Sequence, residues 1–338
     1  MPADLFSRAG LWRIASPVLS PTPVSMRTLA LASVIADTVI MSTGAAVRLS
    51  SSGLGCPDWP RCSTSDIVAS KNAGQTLLNT WIEFSNRLLN FPLVVIAALV
   101  FIAAWRFRPD GRSRRRDLFW LGVAQPAGIV AQAVIGGIVV LTKLNPAAVS
   151  IHFLVSASIV AAAVTLHVRC AEGDDPPVLV VRRELYLLSA ALVAVTGVML
   201  AAGTVVTGTG PLAGHADTPR YKLPLEGITQ LHTDIGWLLC GLAVALVLGL
   251  RVSGAPPRAM RAGWIMIAAL LLQGMIGYIQ YFNHLPAGLV WVHVTGAVIV
   301  WIAVLRLFFA MRDRGPVNSA GTVQPAAVPA RQPEPLDR

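Results

Sequence analysis

Charge is what this sequence has least of. Asp, Glu, Lys and Arg make up only 13% of its 338 residues, about half the share usual in a soluble domain. So few charges cannot coat one large soluble core, and their bunching between long apolar runs makes a bilayer the natural solvent. Acidic residues are scarcer than basic ones, 17 against 27, for a net charge of +10. Such an excess would suit nucleic acid if it formed a patch. Here it lies in short loops between apolar segments, where the positive-inside rule accounts for it and nucleic acid is not an expected partner. Cysteine and histidine are rare as well, at four and six, so each can be considered singly.

What the chain does have is apolar length: 54% of its residues are hydrophobic. Eight stretches are long enough to span, at about 28–47, 79–104, 118–141, 148–168, 184–206, 228–250, 261–281 and 287–310. The first follows Arg8 and Arg13 but is longer than a signal h-region, so it is read as a retained helix. With both termini cytoplasmic, 20 of the 27 basic residues fall inside, six fall outside and Arg87 lies within a helix. The run Arg106, Arg108, Arg112, Arg114, Arg115, Arg116 is the strongest anchor. Beyond Arg314 the chain is rich in Pro, Ala and Gln and is expected to be disordered.

A duplication organises the spans. Gln132-Ala-Val-Ile-Gly136 precedes His152 in helices three and four, and Gln273-Gly-Met-Ile-Gly277 precedes His293 in helices seven and eight. The Gln-to-Gly spacing is 4 in both and the Gly-to-His spacing is 16 in both. Gly44-Ala-Ala-Val-Arg48 and Gly203-Thr-Val-Val-Thr207 correspond more loosely. The expected fold is therefore an all-α membrane protein of eight transmembrane helices, arranged as two pseudo-twofold-related four-helix bundles. The divisions are a cytoplasmic segment 1–27, a first bundle 28–170, a second bundle 171–312 and a disordered cytoplasmic tail 313–338.

His152, His232 and His293 lie at matched depth near the outer ends of helices four, six and eight. One histidine at such depth reads most simply as an interhelical hydrogen bond. A matched pair repeated across a duplication reads as haem ligation, with imidazoles on opposite faces of a planar ring. Zinc or copper would want further ligands, and no Cys or extra His lies at this depth. His167 reads as interfacial, and His215 and His284 as solvated loop residues. Asp37 and Asp234 have no reading of their own.

Glu83, Asn86 and Arg87 are spaced i, i+3, i+4 and share a helix face. A local Glu83–Arg87 ion pair is the plain reading. By the duplication, however, Asn86 stands where His232 stands in the second half, which makes the first site asymmetric and more fitting for a substrate. Cys56 and Cys62 lie close together in the first outer loop, where they can form a disulfide, the expectation here, or a redox-active pair. Cys170 and Cys240 read as packing residues.

The stretch Gly44-Ala-Ala-Val-Arg48-Leu-Ser-Ser-Ser-Gly53-Leu-Gly-Cys56-Pro-Asp-Trp59-Pro-Arg-Cys62 resembles the first outer loop of haem A synthases. The helix-two motif, the outer histidines and Thr207-Gly-Thr-Gly-Pro211 fit the same family, over about residues 28–310. The resemblance implies oxidation of the C8 methyl of haem O to a formyl group by successive hydroxylations, giving haem A for cytochrome oxidase. It implies a haem b cofactor in the second bundle, held by His232 and His293, and substrate haem O in the first. His152 would be the lone protein ligand to substrate iron, Glu83 and Asn86 would shape the opposite face, and Arg48 and Arg87 would meet propionates. Many members carry His where this chain has Asn86; the Asn form resembles actinobacterial members. Expected surroundings are the plasma membrane and its lipid, haem O synthase (the farnesyltransferase) and cytochrome oxidase assembly factors. The alternatives are a di-haem electron carrier or quinone oxidoreductase, which would need four axial ligands, and a transporter, which would favour helices broken at the midplane.

Overall fold

A computed structural model describes residues 16–69, 76–109, 113–215 and 218–317. Helix α1 runs Pro23–Leu49, α2 Leu77–Leu88, α3 Asn90–Arg106, α4 Arg116–Leu141 and α5 Pro146–Arg169. After a two-residue strand β1, Val178–Leu179, come α6 Arg183–Thr209, α7 Leu225–Val252, α8 Pro257–Phe282 and α9 Ala287–Ala310, then β2, Arg312–Asp313. Eight spans are long and apolar enough to cross a membrane, α2 and α3 together forming the second. All eight expected stretches are helical, which establishes an all-α membrane protein.

Local chemistry sets the helix boundaries. Thr22 and Ser25 form a reciprocal capping box at the start of α1, with Pro23 in the first turn. Asn145 caps α5, accepting from the Ala147 N–H at 3.0 Å, again with Pro at the first position. The second span differs from the unbroken helix expected there, because it is interrupted at Leu89. Pro92 falls in the first turn of α3, where a missing N–H costs nothing, and it cannot extend the ladder of α2.

Each set of four spans closes a ring. Helix α1 packs on the α2/α3 span and on α5, and α4 lies between α3 and α5; likewise α6 packs on α7 and α9, with α8 between them. The rings meet where α1 and α5 touch α9 and where α5 touches α6. Val34, Met41, Val160, Val164, Val298 and Leu305 fill this seam. Ser42 and Thr295 share a 2.8 Å hydrogen bond across it, and the Trp291 and Trp301 indoles donate to Ser42 O and Ala157 O, each at 2.9 Å.

Packing is uneven along the helix axes. The fully buried cores, Met26, Val100, Phe107, Leu118 and Leu166 in one ring and Leu192, Leu246, Leu250, Met266 and Leu307 in the other, crowd the arginine-rich end. Here Asp117 bridges Arg115 at 2.8 Å and Arg169 at 2.7 Å, and both guanidinium groups are almost fully enclosed. Segment 312–317, which from residue 313 belongs to the tail expected to be disordered, is folded against this end: β2 pairs antiparallel with β1, and Glu172 forms a β-bridge with Pro316. Residues 318–338, 1–15 and the Arg112 position lie outside the described residues.

Candidate functional site

The opposite, disulfide-bearing end is hollow. One cavity of about 2090 Å³ runs through both rings, roughly twice the upper end of ordinary ligand pockets. Glu83, Asn86, Arg87, Arg48 and His152 line it in the first half, and His232 and His293 in the second. The sequence placed these residues in two sites; the structure joins them in one space.

A glycine on one helix faces each deep polar side chain on the next. A Cβ added to Gly136 would sit 3.3 Å from His152 Cε1, one on Gly203 would sit 3.2 Å from His232 Cε1, and one on Gly277 would sit 3.1 Å from His293 Cε1. The fourth such place is Gly44, whose nearest neighbour is Asn86 Nδ2 at 4.0 Å. Each imidazole thus rests its Nδ1–Cε1 edge on bare backbone, which would leave Nε2 as the nitrogen for a ligand. The Gln residues of the repeat tie down the backbone of two of these histidines, and one of them also reaches a ring. Gln132 Nε2 donates to His152 O at 3.0 Å, and Gln273 Nε2 donates to His293 O at 2.8 Å and lies 3.1 Å from His293 Nδ1.

The ring centres of His232 and His293 are 6.4 Å apart. Two imidazole nitrogens bonded to one metal at about 2.0–2.1 Å each put their ring centres on the order of 6 Å apart, so the pair fits a shared metal between its rings. Among the described residues no three His, Cys, Asp or Glu side chains converge on a metal position. A metal held by this pair must bring its remaining ligands with it, as the iron of a porphyrin does. The enclosed Nδ1 atoms of His152 and His232 have no hydrogen-bond partner among the described residues.

A lid of sequence 50–69 covers the first half. Cys56 and Cys62 are disulfide-bonded. Trp59 lies flat on Gly137 of α4, where a Cβ would come within 2.8 Å of the indole. The loop is tied to α2 by the Glu83–Arg87 ion pair, which forms as expected at 2.7 Å and reaches further than the helix. Glu83 Oε2 accepts from the Cys56 N–H at 2.7 Å. Arg87 donates from Nη1 to Asp58 O at 3.0 Å and Arg61 O at 3.1 Å, and from Nη2 to Cys56 O at 2.8 Å. With Nε and Nη2 also on Glu83 Oε1, all five guanidinium N–H groups have protein acceptors. An incoming carboxylate would have to displace one of them. Arg48 makes no such hydrogen bond or ion pair among the described residues, and the charge of Arg220 acts on it.

The other singled-out residues separate by location. His167 is in the last turn of α5 at the arginine-rich end, where the packing of α1 on α5 buries it, its Nδ1 3.1 Å from Arg27 O. His284 is on the cavity rim in a turn with φ 59°, and His215 is in the 210–224 loop. Asp234 is exposed and accepts from Gln230 at 2.7 Å. Asp37 lines the cavity. Cys170 is wholly buried, and that burial pushes its thiol up to about 12.

Comparison with known proteins agrees with this geometry. Heme A synthase of Bacillus mycoides (strain KBAB4) is 24% identical over 297 residues, covering 84% of this chain and 92% of its own. The heme A synthases of Bacillus cereus (strain 03BB102) and Bacillus anthracis (strain A0248) are each 26% identical over 298 residues, covering 83% of this chain and 91% of theirs. Residues 27–305 match one family over every span and the lid, so the chain belongs to the cytochrome oxidase assembly protein family.

Proposed function

We propose that this chain is a haem A synthase, oxidising the C8 methyl of haem O to a formyl group by successive hydroxylations and so supplying haem A to cytochrome oxidase. The observation that carries the reading is the trio of glycine-backed histidines at one depth in a shared cavity. In a member of this family, with relatives named heme A synthase, that arrangement favours haem chemistry.

The two halves take different parts, as pseudo-twofold-related bundles. His232 and His293 would hold a resident haem b, which supplies one-electron transfer when bound. His152 would ligate the iron of the substrate from one side. Asn86 would stand where the second half has His232, and because an amide is a poor donor beside a neutral imidazole it would not ligate the iron. Arg48, with its guanidinium uncommitted, would take a propionate. Glu83 and Arg87 would hold the lid over the substrate and keep water out of the hollow. A di-haem electron carrier would need a fourth axial ligand where this chain has Asn86.

The arginine-rich end faces the cytoplasm in this reading, with both termini there and the protein in the plasma membrane. Haem O synthase, the farnesyltransferase, is the proposed upstream partner, and cytochrome oxidase assembly factors the downstream ones. Pigment extraction is the direct test. Cells lacking this protein should accumulate haem O and lack haem A, and restoring the intact chain but not His152→Ala should bring haem A back. Normal haem A in the deletion strain would refute the proposal.

A further inference from the structure

Asp37 is left over by everything above. It is only 6% exposed and lines the cavity, and among the described residues its carboxyl group makes no hydrogen bond, its Oδ2 being fully enclosed. Ser33, one turn away, already donates to Gln125 Oε1 at 3.1 Å and offers it nothing. A carboxyl group at bilayer depth is costly and persists where something satisfies it. Among the described residues no protein group does, so the partner of the oxygen that is not enclosed must come from what fills the cavity.

The position on α1 says which part of a ligand that is. Asp37, Gly44 and Arg48 lie on one helix stripe and all line the cavity. Gly44 marks the level of Asn86. Arg48 lies about 6 Å from that level towards the disulfide end, and Asp37 about 10 Å from it the other way, at 1.5 Å per residue. A porphyrin centred on this level with its propionates towards Arg48 would turn its far edge towards Asp37. Across the ring from the propionates, haem O carries a hydroxyalkyl group bearing a farnesyl chain where protohaem carries a vinyl. Beside Asp37 on its helix, Ile40 packs with Leu93 and Ile129, all three on the cavity wall, which suits an isoprenoid chain.

We infer that Asp37 accepts a hydrogen bond from the hydroxyl of the substrate's farnesyl-bearing side chain, and so selects farnesylated haem over protohaem. This rests on the haem O reading given above.

The test is a haem titration of the purified full-length protein carrying its resident pigment. The probes are haem O, iron haematoporphyrin (hydroxyethyl groups, no farnesyl) and protohaem. Asp37→Leu should weaken haem O and iron haematoporphyrin on the order of tenfold, the scale of one lost hydrogen bond, while protohaem changes less than twofold. Asp37→Asn, whose amide oxygen still accepts, should keep most of the preference. The resident pigment spectrum reports that each variant is folded. Equal weakening of all three probes, or of none, would overturn the assignment. Should Asp37→Leu not fold, wild-type protein alone decides: failure to prefer iron haematoporphyrin over protohaem also overturns it. Uptake unaffected by His152→Ala, or no uptake of any probe, would instead overturn the functional reading and the inference with it.

Discussion

Space at a single Cα controls each histidine of the cavity. Because His293 Cε1 would stand 3.1 Å from a Cβ at Gly277, Gly277→Ala should force the imidazole to tilt or retreat by tenths of an ångström. Helix stability would if anything rise, since Ala is the better helix former. The expected result is a resident haem that is lost more readily or absorbs at a shifted wavelength, in a protein that expresses normally. Gly274→Ala, with nothing within 4 Å of its added Cβ, is the control that should leave the spectrum unchanged. Visible absorption of the two purified variants checks this, and identical spectra would refute the glycine's role. The sequence shows the repeated Gln-Gly-His spacing of the second and fourth hairpins. It does not show that Gly44 and Gly203 complete the set, since their partners lie across long loops of unrelated length.

At the scale of elements, the lid and α2 act as one piece. Glu83→Ala would leave the Cys56 N–H and two Arg87 donors without their acceptor, costing on the order of 1–3 kcal/mol locally. Haem A formation should fall while the second-half haem spectrum stays intact; loss of both would mean a global defect instead. Thiol chemistry tests the same region. Denatured without reductant, the protein should label at Cys170 and Cys240 alone, and four labelled thiols would refute the Cys56–Cys62 bond. In the folded protein Cys170 should be silent at pH 8.5 or so, because burial raises its thiol from 9.0 to about 12. The sign follows: the folded state holds that proton longer, so its contribution to stability is complete below pH 9.0 and drains away as pH climbs towards about 12. The eight spans were legible because apolar length is a strong signal and a bilayer demands it. The break at Leu89 was less so, since Phe91-Pro92 sits inside an otherwise unbroken apolar run. The Arg87 clamp was illegible, because it joins a helix to carbonyls 26 to 31 residues away, and backbone acceptors leave no mark in a sequence.

The whole molecule is packed at one end and hollow at the other, and its stability should be concentrated accordingly. Asp117 bridges two buried arginines at the packed end, and Glu172 and Asp174 complete the network. Asp117→Asn should lower stability by about 1–3 kcal/mol, because Arg115 and Arg169 lose the carboxylate that bridges them and keep only Glu172 and Asp174. Thermal unfolding in detergent would register the loss, and a resident haem spectrum unaltered before melting would show that the hollow end is untouched. An unchanged melting temperature would refute the idea that this network fastens the fold. Of the four glycine-backed positions, three hold histidine and one holds Asn86. A pair of identical four-helix subunits could never have that composition, since any replacement in one would appear in the other. Joining both halves in one polypeptide frees a single position to change by itself. The covalent link between α5 and α6 is therefore what permits division of labour: one pocket can keep its pigment while its sibling becomes a place for turnover.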